Sequence, residues 1–162
     1  MSNIQITVEE INKMNPLDIV LSAPVKQRFI QIYDTLWGEG TGEPAYERES
    51  IFFNRILADN EKLMKGVTRF SIFTTFIDLA VCGLSVEPGV RALAYLQGRN
   101  AKIGKGADGK DIYEGRLTLT ISGYGELVLR SRCGQIKYAD NPVLVYEEDS
   151  FSFSDTNGAK SV

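Results

Sequence analysis

Histidine is absent from this 162-residue chain, which excludes a His-based triad, a histidine general base and any histidine metal site. The two cysteines, Cys82 and Cys133, are too few for the common zinc patterns and do not form a secreted disulfide framework. No apolar run approaches the ~18 residues of a membrane span. The opening MSNIQITVEEINK lacks both the basic and the apolar stretch of a signal peptide. These absences predict a cytoplasmic protein with no metal, no other cofactor and no membrane partner. What is present is an ordinary globular mixture, 43% hydrophobic and 24% charged, which sets aside a disordered tail, a collagen-like repeat or a coiled coil. A chain of this length can bury a core as one domain without staples.

Eighteen basic against 21 acidic side chains give a net charge of −3, but the charges are unevenly spread. Residues 1–90 carry a net −4, residues 91–138 a net +5 and residues 139–162 a net −4. A basic middle between acidic flanks is the feature a functional reading has to explain.

The first 83 residues read as helical. Thr7 with Glu10 three positions on matches a capping box. A second helix opens at Ser22 and Pro24, repeats apolar residues at helical spacing from Val25 to Leu36, and stops at Gly38. Residues 38–44 are a loop by composition. A third helix is expected from Ala45 to Lys65 and a fourth from Ser71 to Cys82, closed by a left-handed Gly83, with Pro88 preventing a restart. The apolar period then changes to two. Strands are expected at 92–97, with 101–103 as a continuation, and at 111–121, where Tyr113, Leu117, Leu119 and Ile121 face one way and Glu114, Arg116, Thr118 and Thr120 the other. Residues 104–110 join them as a hairpin connection. Ser122 caps a short helix ending at Arg130 and Arg132, with Gly134 beyond it. Further strands are expected at 135–139, 142–148 and 151–154, followed by the turn DTNG. The fold class is therefore α+β: a helical part over about 1–83, then a basic β-hairpin and a small antiparallel sheet packed with a short helix, over about 88–154. Because only AKSV follows the last turn, the expectation is that a returning strand and a C-terminal part are missing.

The segment GKGADGKD (104–111) matches G-x-G-x-x-G and nearly matches a Walker A loop. Both motifs need a helix after the loop to present N–H groups to phosphate, and here an alternating strand follows. Asp111 also stands where Ser or Thr would hold Mg²⁺. The segment reads as a turn. No pair of carboxylates can be assigned to acid–base work, and no catalytic or metal-binding residue is expected. Glu147, Glu148 and Asp149 read as a solvated strand end, and both cysteines as small packing residues.

The basic segment carries more. Arg99, Lys102, Lys105 and Lys110 lie on or beside the hairpin, Arg116 on the polar face of its second strand, Arg130 and Arg132 at the end of the short helix, and Lys137 after it. Tyr95, Tyr113, Tyr124 and Tyr138 interleave with them and could stack bases. The plainer alternative keeps the tip lysines as solubility devices, pairs Arg130 with Glu126 at i,i+4 and buries the tyrosines.

NPLDIVLSAPVKQRF (15–29), GLSVEP (83–88), GYGELVLRSRCGQIK (123–137) and VYEED (145–149), in that order along the chain, resemble the RecT family of phage single-strand annealing proteins. The resemblance implies ATP-independent binding of single-stranded DNA and its annealing to a complementary strand during phage-type recombination in a bacterial host, with no enzymatic turnover. It implies a homo-oligomer, as a ring or helical filament, and a partner 5′-to-3′ exonuclease. By position it places Lys102, Lys105, Lys110, Arg116, Tyr124, Arg130, Arg132 and Lys137 at the DNA, and the basic cluster adds Arg99 as a candidate beside them. The alternative reading is a non-enzymatic protein-interaction or assembly module, or a remnant without annealing activity.

Overall fold

A computed structural model describes residues 6–139, 144–148, 150, 152, 154–156 and 159–161. It is an α+β arrangement: helices first, then an antiparallel hairpin and a short helix. Helix α1 (Val8–Lys13) opens with the capping box, Thr7 and Glu10 each bonding the other's backbone. Helix α2 (Ala23–Trp37) carries its proline in the first turn and ends at Gly38. Two helical expectations need correcting. Helix α3 (Gly42–Asp59) begins inside the expected loop, because Asp34 of α2 accepts the Gly42 N–H at 2.7 Å and fixes the helix start against α2. The single helix expected to run to Lys65 breaks at Asn60, whose side chain accepts the Leu63 N–H at 3.1 Å and starts α4 (Glu61–Gly66). Helix α5 (Arg69–Cys82) follows, N-capped by Thr68 and closed by Gly83 at φ 61°, a left-handed conformation that favours glycine.

The core gathers around Phe76 of α5. Phe29 stacks on it at 4.7 Å and Phe53 meets it edge-on at 5.1 Å, with Tyr46 at 6.1 Å. Tyr46 stays satisfied by donating its hydroxyl to the Val20 carbonyl at 2.9 Å. Leu57, Ile72 and Leu79 complete a cluster with no exposed surface.

The two expected strand fragments at 92–97 and 101–103 are one strand, β1 (Ala94–Lys105), paired antiparallel with β2 (Asp111–Ile121). On β2 the expected faces hold: Leu117 is buried and Leu119 packs on the core, while Arg116, Thr118 and Thr120 turn away. Helix α6 (Gly123–Arg132) is N-capped by Ser122, whose hydroxyl accepts the Gly125 N–H at 3.0 Å.

The body holds β2 by its outer edge. Gly115 and Leu117 direct their backbone groups away from β1. Thr68 donates its N–H to the Gly115 carbonyl, Ser71 Oγ accepts the Leu117 N–H, and Thr75 Oγ1 donates to the Leu117 carbonyl, each at 2.9 Å. Gly115 has to be glycine here, since a Cβ would collide with the Gly66 carbonyl oxygen at the end of α4.

The later strands differ from expectation. Residues 135–139 form no strand although their polarity alternates: the Gln135 N–H donates to the Arg130 carbonyl at 2.9 Å, so the segment starts as the closure of α6, and α5 occupies the β2 edge. Residues 144–148 are coil and turn, while Pro142 and Val143 lie outside the described residues. Of the 151–154 strand, Phe151 and Phe153 also lie outside them, and Ser154 begins β3 (Ser154–Thr156). This strand pairs with β4 (Ala159–Ser161), so the residues after the turn supply a short returning strand rather than lacking one.

Replacing Ser71 by alanine strands the buried Leu117 N–H and is expected to cost about 1–3 kcal/mol. Urea unfolding checks this, with the fully solvated Val90→Ser, 96% exposed, expected to change little.

Candidate nucleic-acid interface

Beyond the seam with α5 the hairpin projects from the body, and the strand register sorts its cations onto two faces. Arg99 stands directly opposite Arg116 on the outward face, beside Tyr95, Gln97, Thr118 and Thr120. Opposed like charges on a sheet cost roughly 0.2–1 kcal/mol when nothing lies between them. Each arginine finds one local acceptor: Gln97 Oε1 for Arg99 at 3.1 Å and Glu114 Oε1 for Arg116 at 3.0 Å. That leaves most of the ten N–H donors of the two guanidiniums open to an anion. Tyr95, 47% exposed, sits four residues from Arg99 on the same face.

The register shifts between Lys102 and Gly104, so Ile103 is an extra residue. The shift brings Lys105, opposite Asp111, to the same face as Lys102, opposite Tyr113. This is the underside, continuous with the core-facing residues nearer the body. Lys102 is engaged with Asp111 at 2.7 Å, and Lys110 at the turn lies 3.6 Å from Asp108. Ile103, Ile112 and Tyr113 are exposed on this arm. The glycine-rich loop is a turn between two strands, with Gly109 at φ 76° and the Gly106 N–H donating to the Lys110 carbonyl at 2.7 Å. No helix N-terminus follows it, and the phosphate-loop resemblance ends there.

The residues after β2 diverge from one another. Arg130 pairs with Glu126 at 2.5 Å, the i,i+4 pairing that the plainer reading anticipates. Arg132 is held by the fold: its guanidinium donates to the Gly83 carbonyl at 2.9 Å and lies 4.9 Å above the Trp37 ring. Trp37 in turn donates its Nε1–H to the Ala80 carbonyl at 2.9 Å. Arg132 therefore fastens α6 to the C-terminal ends of α2 and α5, a task that competes with any contact to DNA. Tyr124, 41% exposed, has the Arg91 guanidinium 5.8 Å from its ring centroid. Lys137 and Tyr138 are exposed in coil. Thus Arg99 and Arg116 share one hairpin face, Lys102 and Lys105 the other, and Tyr124, Arg130, Arg132 and Lys137 belong to a different part of the surface. Among the described residues, Arg99, Lys105 and Lys137 form no ion pair.

Sequence reasoning missed a cleft between α4 and the underside of the hairpin, about 320 Å³ in volume. Lys62 and Asn60 line it from the helical side, Arg99 and Asn100 from β1. Lys62 reads as an ordinary solvated helix residue, and nothing in the local pattern brings it near position 99. Cys82 behaves as a packing residue, since burial and then the Asp78 carboxylate push its thiol up and away from thiolate. Cys133 is exposed instead, because Gly134 turns the chain outward after α6. Glu147 and Glu148 are exposed in a turn rather than at a strand end, and Asp149 lies outside the described residues. Among the described residues no cluster of three His, Cys, Asp or Glu could hold a metal ion, and no helix is long and apolar enough to cross a membrane.

Comparison with protein-family models, with curated proteins and with solved structures finds no match to this chain.

Replacing Arg132 by alanine is expected to cost about 1 kcal/mol, from its charged hydrogen bond and ring contact, and to change the emission of Trp37, the only tryptophan in the chain. Arg130→Ala should cost no more than about 0.5 kcal/mol, as an exposed i,i+4 pair does, and leave that emission unchanged.

Proposed function

We propose that the protein binds single-stranded DNA through the hairpin and anneals it to a complementary strand, without nucleotide hydrolysis. The observation that carries this reading is the direct opposition of Arg116 and Arg99, the latter without an ion pair among the described residues, on an exposed, projecting two-stranded arm. A phosphate between two guanidiniums relieves their repulsion and accepts several charge-assisted hydrogen bonds, so the arrangement gains more from an anion than either arginine alone. Tyr95 on the same face supplies a stacking surface, and Gln97, Thr118 and Thr120 supply neutral polar groups. The resemblance to RecT-type annealing proteins supports the same reading and adds assembly into a ring or filament and cooperation with a 5′-to-3′ exonuclease. Annealing needs no bond to be made or broken in the DNA; it needs paired strands to be held better than one. A second reading, a protein-interaction module, is favoured by the exposed Ile103, Ile112 and Tyr113 on the arm.

Fluorescence anisotropy of a labelled oligonucleotide, alone and with its complement over a salt series, tests the first reading. Salt-sensitive binding that tightens when the complement is added is expected. The double substitution Arg99→Glu with Arg116→Glu should weaken binding for every base sequence and make the log–log salt slope shallower by about 1.4, at ~0.7 per phosphate contact. Lys105→Glu with Lys110→Glu should act in the same direction but less, since Lys110 is already near Asp108. No binding at low salt would leave the interaction module as the better account.

A further inference from the structure

We infer that the cleft between α4 and the hairpin seats one nucleotide of a bound single strand, with Lys62 holding its phosphate and the amides of Asn60 and Asn100 beside its base. The inference rests on the DNA-binding reading above and adds to it a second contact surface, on the opposite face of the hairpin from the paired arginines.

Four observations lead there. The cleft's volume of about 320 Å³ lies at the lower end of the ~300–1,000 Å³ usual for small-ligand sites, which suits one monomer of a polymer rather than a large ligand. Its lining contains no carboxylate, and Lys62 supplies a cation from the helical side. Lys62 is exposed and has no ion pair among the described residues, whereas Lys65 on the same short helix is committed to Glu61 at 2.5 Å. Finally, Asn100 lies on the same hairpin face as Lys102 and Lys105, so the cleft opens onto a run of cations toward the tip.

The glycines of the lining have a sufficient structural explanation in the close packing of α4 on the hairpin, and they are not part of the argument. The polar groups are only partly explained that way, since Asn60 caps α4 through its oxygen alone. Asn60 spends its carbonyl oxygen on the Leu63 N–H, which leaves its amide N–H₂ as donor. Asn100 makes no hydrogen bond through its side chain among the described residues. Amide side chains offering both donor and acceptor suit the edges of unstacked bases, and a flanking ammonium suits the phosphodiester. Arg99 borders the cleft while its side chain lies with Gln97 on the outward face, so a strand could pass from one surface to the other around the free edge of β1.

The test compares substitutions on one helix. Lys62→Glu is expected to weaken binding of a labelled oligo-dT by about fivefold or more at low salt, and the charge-matched Lys65→Glu by less than about twofold. Both sites are solvent-exposed, and far-UV circular dichroism with thermal melting confirms that each variant folds. A fully abasic oligonucleotide should bind the unsubstituted protein more weakly than oligo-dT, and Asn100→Ala should narrow that gap. If Arg99→Glu with Arg116→Glu weakens binding while Lys62→Glu and Lys65→Glu behave alike, the nucleotide seat is wrong and the outward-face reading stands. A gap unchanged by Asn100→Ala overturns the base contact. If the unsubstituted protein binds no oligo-dT, the DNA-binding reading fails, and the seat with it.

Discussion

Three hydrogen bonds join α5 to the outer edge of β2, and the remaining architecture follows from that seam. A two-stranded hairpin is at best marginally stable in water. Here one of its edges is paired by Thr68, Ser71 and Thr75, and its inner face is buried through Ala94 and Leu117 against the aromatic core. The distal part, beyond Gly98 and Gly115, has no such support and depends on cross-strand pairing. The body therefore anchors one end of the arm and leaves its far end, with the cations, in solvent. The same seam closes the outer edge of β2 to a further strand and leaves β1 with the sheet's free edge.

A second set of contacts fixes where the chain changes from helix to strand. Glu49 is fully buried, and a charge there is costly unless it is satisfied. Its two oxygens accept the Arg48 Nε–H at 2.8 Å and the Val86 N–H at 3.0 Å. The carboxylate thus reaches from α3 to the segment that follows Gly83. Arg132 meets the start of that segment from the other side by bonding the Gly83 carbonyl, while the Trp37 ring lies so close to Gly83 that a Cβ would clash with it. Position 83 is consequently constrained twice, by its left-handed backbone and by the indole. The path from α5 into β1 is set by contacts distant in sequence, and the hairpin inherits its direction from them.

Features encoded by near neighbours were legible in the sequence. The Thr7–Glu10 capping box, the Ser122 cap, the left-handed Gly83 and the alternation of β2 each depend on residues within a few positions. The break at Asn60 was not legible, because the apolar period continues across it and only the side-chain cap reveals two helices. Alternation at 135–139 misled for a related reason: the Gln135 N–H is committed to the Arg130 carbonyl at the end of α6, which the polarity pattern does not reveal. The candidate site shows the same division. The cations of the basic segment were visible as a cluster, but Arg132 was not recognisable as a clamp, since Trp37 and Gly83 are 95 and 49 positions away. Lys102 and Lys105, three apart, would fall on opposite faces of a regular strand; the extra residue at Ile103 puts them on one.

Charge count alone is a poor guide to what this surface can hold. Lys102, Lys110, Arg116 and Arg130 each have one of the middle segment's four acids within 4 Å, so its net +5 rests on the other five cations, of which Arg99 and Lys105 lie on the hairpin. A strongly cationic groove would grip any nucleic acid by counterion release and would release it slowly. An arm with three of its five cations already beside a carboxylate instead depends on geometry: guanidiniums opposed across two strands, and an ammonium at the lip of a cleft. Such contacts are individually modest and readily exchanged. The annealing proposed for this arm would need that quality, because a strand held too firmly cannot shift its register to find its complement, whereas one held at intervals keeps most of its bases free to pair.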